Sequence, residues 1–346
     1  MRLAILMLFA TALAGAAAQT NSAPADPKAQ KTYADALKDL HSHHEQDALD
    51  GFKKANKQDG GRCAVCLHRI ISLSQQLGDF KSADAAAREL IAQAQDPEQA
   101  ARAHYERGSV LLREGTEKKK NDRLAEADRE FRLALAGNPK DSMALYGDAL
   151  ALARLNRDDE AKPMFRQLAD LWADSSVDRA RLLRYAERPE LARANMAPAF
   201  AITTTDGQRL SLDGISGKVL LVDFWATWCG PCREALPHMK QIAQKFKDQP
   251  FVVLSVSLDA DEQKWKSFVA KNEMTWKQYR DGSFEGPLAK LFGVRAIPQT
   301  FTIDADGVLQ DQQIGDQAIE GKLKKLVVRA QQLQQAQQQV SASTQP

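Results

Sequence analysis

Two hydrophobic periods divide this chain. From about Tyr33 to Leu191 apolar positions recur at helical spacing among Ala, Leu, Glu, Gln, Arg and Lys, with no β-branched runs. Near Met196-Ala197-Pro198 the pattern changes. Phe200 to Thr204 and Arg209 to Leu212 flank Asp206-Gly207 and predict a small hairpin. Val219 to Phe224 and Phe251 to Leu258 are apolar runs that predict buried strands. Residues 233–246 predict an amphipathic helix, and Asp261 to Asn272 another, with Trp265, Phe268 and Val269 on one face. Leu288 to Phe292 predicts a short helical turn. Pro298 to Asp304 reads as a strand that turns at Asp306-Gly307 into Val308 to Gln310, and Ile319 to Gln334 as a last helix. This alternation predicts an α/β layer with a mixed central sheet. The glutamine-rich end extends that helix and then frays, which predicts a disordered tail over 335–346.

The helical half repeats. Glu126, Ala127, Phe131 and Arg132 recur 34 residues later as Glu160, Ala161, Phe165 and Arg166. Upstream, Ala48/Phe52 and Ala83/Ala87 stand 35 apart, and the step from Ala83 to Ala127 is 44, which implies an insertion around Gly115 to Asn121. A small residue lets two helices approach, and the aromatic four residues on fills the groove on the same face. The segment resembles tetratricopeptide repeats, as four degenerate helical hairpins. The resemblance implies a concave surface for a peptide or partner protein. An architectural spacer, a dimerisation face and an irregular helical bundle stay open.

The length of 346 residues suits two domains. With 47 basic and 45 acidic residues there is no basic footprint for nucleic acid. Lys118-Lys119-Lys120 reads as a solvated patch. At the start, Arg2, the apolar Leu3 to Leu13 and the small Ala16-Ala17-Ala18 predict a signal peptide over 1–18, cleaved near Ala18, and a periplasmic or otherwise exported product. An uncleaved anchor is the alternative; no other segment is long and apolar enough to span a bilayer. The domain organisation expected is a linker over 19–32, a helical repeat domain over 33–195 and an α/β domain over 196–334.

Chemistry concentrates in the second domain. All four cysteines occur as Cys-x-x-Cys: Cys63 with Cys66 and Cys229 with Cys232. Export permits disulfides, and such local pairs suit redox centres better than a stapled framework. Cys229 falls at the N-terminal boundary of the 233–246 helix, where unpaired N–H groups favour a thiolate. Cys232, one turn on, is expected to be more buried and to act second. Gly230 gives the turn room, and Pro231 fits a first helical turn. Asp223, an acid in an apolar strand, is expected to have a raised pKa and to serve Cys232 as base or proton relay; a strand-edge Asp facing water is the bland alternative. Pro298 before a strand is either an edge marker or a cis residue that sets Ile297 beside Cys229 to hold a substrate strand. No second ligand pair completes a zinc site around Cys229 and Cys232, so neither metal nor cofactor is expected. A lone peroxidatic cysteine in a Pro-x-x-x-Thr context is absent.

Cys63 and Cys66 follow Asp59-Gly60-Gly61 and read as a structural disulfide, or as a second thiol pair. Cys63-Ala64-Val65-Cys66-Leu67-His68 misses covalent haem attachment by one residue. His41, His43 and His44 read as a solvated cluster, with a metal site including His68 as the alternative.

The run from Val222 through Trp225, Trp228, Cys229, Gly230, Pro231 and Cys232 to Arg233, then Leu236-Pro237, then Gly293 to Phe301 around Ile297-Pro298, resembles the thioredoxin superfamily. The closer likeness is to its exported TlpA/ResA-like branch, over about Pro198 to Ala330. The resemblance implies a thioredoxin fold, a nucleophilic Cys229, a resolving Cys232, a buried Asp223, a packing Trp228 and a cis Pro298. It implies protein disulfide clients and a thiol electron donor at the membrane. Where that branch carries a glutamate three residues after the second cysteine, this chain has Ala235, so Asp223 is expected to take that work. The Gly-Pro pair favours a reducing role. The competing class is a repeat-based binding scaffold whose redox domain regulates its assembly.

Overall fold

The computed structural model describes residues 23–172, 176–315 and 318–343. The expected signal segment 1–18 lies outside them. The chain divides into two compact units, Met1–Ala151 and Leu152–Pro346.

The first unit is all-helical: α1 (Pro27–His41), α2 (Glu45–Gln58), α3 (Ala64–Leu77), α4 (Phe80–Gln93), α5 (Pro97–Glu117), α6 (Asn121–Gly137) and α7 (Ser142–Arg154), whose last turn enters the second unit. Asp26 caps α1 by accepting from the N–H groups of Lys28 and Ala29, and Pro27 fits the first turn. Residues 27–32, expected as linker, are therefore helix. Short connections fold each of α2 to α6 back on its predecessor. Small residues set the closest approaches: a Cβ at Gly51 would come within 2.6 Å of the Ala36 Cβ, and one at Gly108 within 2.8 Å of the Phe131 ring. Ala48, Phe52, Ala83, Ala87, Ala127 and Phe131 are all fully buried.

The second unit begins with α8 (Asp158–Ala169), α9 (Val177–Glu187) and a 3-10 turn, Pro189–Arg193. The hairpin follows as β1 (Ala201–Thr203) and β2 (Arg209–Ser211). Then come β3 (Val219–Trp225), α10 (Gly230–Lys245), β4 (Phe251–Ser257), α11 (Glu262–Lys271), β5 (Lys277–Arg280), α12 (Pro287–Phe292), β6 (Gln299–Ile303), β7 (Leu309–Ile314) and α13 (Glu320–Ser343). The sheet order is β5-β4-β3-β6-β7. β3, β4 and β5 are parallel, while β6 is antiparallel to both β3 and β7. The expected α/β fold with a mixed sheet is present.

β3 is central, and all seven of its residues are buried. One face carries Leu220, Val222 and Phe224 against Phe292 and Phe301. The other carries Val219 and Leu221 against Ile242 of α10, Phe246 just after it, and Leu323 and Val327 of α13. An unbroken apolar run is what a strand covered on both faces requires.

Three elements depart from expectation. β5 was not predicted, because Lys277-Gln278-Tyr279-Arg280 is mostly polar, as an edge strand can be. β7 runs on to Ile314 through alternating half-buried and exposed positions rather than ending at Gln310. The helix of α13 continues to Ser343, through most of the tail expected to be disordered; Gln and Ala are good helix formers.

Candidate functional site

The site is assembled where β3 gives way to α10. Trp225 ends the strand, and Cys229 occupies the N-cap of α10 with extended backbone. The Cys232 N–H donates to Cys229 Sγ at 3.2 Å. A disulfide joins the two cysteines, with Cα atoms 5.3 Å apart. Pro231 lies in the first turn, and a Cβ at Gly230 would meet open space. Both cysteines are mostly covered, whereas the neighbouring Trp228 is 56% exposed. The helix therefore starts at Gly230 rather than at Arg233, because the first cysteine itself caps it.

From the far side comes the loop before β6. The Ile297–Pro298 peptide is cis, and the Ile297 carbonyl oxygen lies 3.8 Å from Cys229 Sγ. Trp228, Cys229, Gly230, Pro231, Cys232, Ile297 and Pro298 thus meet at one end of the sheet. A sulfur at a helix N-terminus is stabilised as thiolate by the unpaired N–H groups and the positive end of the dipole.

Asp223 lies in central β3, not at an edge, and is buried. The Ser255 hydroxyl on β4 donates to its Oδ2 at 3.0 Å, and the Trp276 indole N–H donates to Ser255 Oγ at 2.9 Å. Sequence reasoning singled out Asp223 but missed these partners. It also missed Asp259, whose carboxylate accepts from Thr227 N–H (2.9 Å), Thr227 Oγ1 (2.6 Å) and Ser257 Oγ (2.7 Å). The available signal was Ser255 and Ser257 within the apolar run of β4, since buried hydroxyls need partners.

Cys63 and Cys66 belong to the helical unit and are also joined by a disulfide. Cys63 caps α3 and is enclosed with Ala55, Tyr33 and Val65. His68 pairs with Glu106 at 2.7 Å. Among the described residues no group of three or more His, Cys, Asp or Glu side chains converges as a metal site.

The AhpC/TSA family model matches residues 194–312, which include the Cys229–Cys232 pair. The thiol-disulfide oxidoreductase ResA of Bacillus thuringiensis (strain Al Hakam) is 29% identical over 145 residues, 41% of this chain and 83% of that protein. ResA of Bacillus thuringiensis subsp. konkukian is 30% identical over 133 residues, 38% of this chain and 76% of that protein. A solved thiol-disulfide oxidoreductase from Bacteroides fragilis is 30% identical, covering 38% of this chain and 98% of that one, with a TM-score of 0.35.

Proposed function

Because the chain belongs to the ResA-like thiol-disulfide oxidoreductases and exchanges thiols and disulfides through the Cys–Cys pair of its thioredoxin-like unit, we propose that it reduces disulfides of exported protein clients. Cys229 is the attacking sulfur. One observation carries this: Cys229 caps α10 beside an exposed Trp228 and within 3.8 Å of the Ile297 carbonyl. Trp228, Gly230, Pro231, Ile297 and Pro298 form the surface on which the client strand lies. Cys229 thiolate attacks the client disulfide and forms a mixed disulfide. Cys232, with Asp223 as its base, then attacks Cys229 and releases the client as a dithiol. Two electrons pass to the client and the Cys229–Cys232 disulfide forms. A thiol donor at the membrane returns the pair to the dithiol.

The helices over 33–195 are proposed to be a set of tetratricopeptide-like repeats that recruits a protein partner. The burial of Ala48, Phe52, Ala83, Ala87, Ala127, Phe131, Ala161 and Phe165 supports this, since each recurring small or aromatic position lies in a core. The export signal over 1–18, and with it a periplasmic or similar location, belongs to the same proposal. Among the described residues no helix is long and apolar enough to cross a membrane.

Reduction of insulin by the full chain tests the activity. Cys229→Ser is expected to abolish turnover, and Cys232→Ser to hold the mixed disulfide so that the captured chain names the client. Undiminished insulin reduction by Cys229→Ser would remove the assignment. Partner binding and cellular effect that need neither cysteine would favour the scaffold reading.

A further inference from the structure

We propose that His238 is the outer station of a proton path that connects Asp223 to solvent, standing in for the carboxylate that Ala235 does not provide. The proposal rests on the reductase reading above. Asp223 borders a cavity of about 20 Å³ whose walls include Ala235 and His238 of α10 and Pro298 and Thr300 from the β6 side. A space of that size holds one water molecule, and Asp223, His238 and Thr300 give it polar partners. The short Ala235 side chain leaves the space open.

His238 is the wall that leads outward. Its side chain is 24% exposed, and Nε2 lies 3.6 Å from Glu320 Oε1. Asp223 from β3 lines the same cavity as His238, and Glu320 from α13 faces its Nε2; Lys245, on the same helix as His238, pairs with Glu320. An imidazole that shares a cavity with a buried carboxylate and faces a half-exposed one can pass a proton from the cavity to the outside.

The step balances as follows. The Cys232 thiol gives its proton to Asp223, and its sulfur bonds to the Cys229 sulfur. The bond from Cys229 to the client sulfur breaks, and the departing thiolate takes a proton from solvent. The proton on Asp223 crosses the cavity to His238 and leaves. His238 acts on sulfur only through Asp223, so it is a positioning residue rather than a catalytic one.

The test is single-turnover oxidation of the reduced full chain by insulin disulfide, from about pH 5 to about pH 9. It compares wild type, His238→Gln and His238→Gln/Ala235→Glu. His238→Gln is expected to slow the reaction about tenfold near neutrality and to change the shape of the pH–rate profile. The double variant, which returns a carboxyl to the cavity, is expected to regain most of the rate. Thermal melting of each variant gives the fold control. A His238→Gln profile that superimposes on wild type overturns the proposal. So does a uniform slowing at every pH that Ala235→Glu does not relieve. Failure of the wild type itself to reduce insulin would instead overturn the reductase reading.

Discussion

Asp259 fixes the approach to the cysteine pair. Three donors converge on its buried carboxylate, and two of them belong to Thr227, two residues before Cys229. Removing the acceptor leaves a buried N–H and two hydroxyls without it, and each group left unsatisfied costs about 1–3 kcal/mol. Asp259→Ala is therefore expected to lower the denaturation midpoint and to slow insulin reduction with both cysteines intact. Unchanged stability and unchanged rate would show that Thr227 is held by other means. The sequence exposes the cysteines at once, because two sulfurs three apart after a buried strand have few other uses. It hides Asp259, because an acid just after a strand and before a helix reads as a cap. Asp261, two residues on, is that cap, accepting from the Lys264 N–H at 3.0 Å.

α9 is bound to the sheet unit by charge, which a search for apolar period does not register. Arg181 and Arg184 both bond Asp213, and Arg181 also donates to the Ala197 carbonyl. Arg181 and Asp213 are both buried, with side-chain exposures of 6% and 4%. Asp213→Ala would strand the guanidinium, a loss of about 3–5 kcal/mol for a broken buried pair. The expected outcome is a lower midpoint for the unit that begins at Leu152. A midpoint within error of wild type would show that α9 can leave the sheet at little cost. A second clamp responds to acid. Burial pushes the Asp306 pKa up, but hydrogen bonds and charge from Arg188 and Arg329 outweigh it and hold the carboxyl below its ordinary value. A group with a depressed folded pKa contributes fully above its unfolded value and loses that contribution as pH falls through the folded one. Asp306→Asn is thus expected to flatten the acid limb of stability, read by urea melts between about pH 7 and about pH 3; an acid limb parallel to wild type would exclude it. The change of period near residue 196 marked where strands begin. Residues 152–195 nonetheless belong to the sheet unit, held in part by these arginines, whose partners lie up to 122 residues away.

The chain as a whole carries two disulfides built by one local rule, one in each unit. In both, the first cysteine caps a helix and takes a hydrogen bond at 3.2 Å from the N–H of the second. Their surroundings separate them. Cys229 adjoins an exposed Trp228, whereas Cys63 and Cys66 are enclosed by Tyr33, Ala55 and Val65. A sulfur that no client can approach is a brace rather than a redox centre. Graded reduction followed by alkylation should therefore label Cys229 and Cys232 before Cys63 and Cys66. The double substitution Cys63→Ala/Cys66→Ala should leave insulin reduction intact. It should cost the helical unit about 2 kcal/mol, the small loop-closure value for so short a span. If that variant keeps its helical content and melting midpoint yet loses turnover, the second pair belongs to the electron path, and spacing alone, without enclosure, will have been the better guide to which cysteines react.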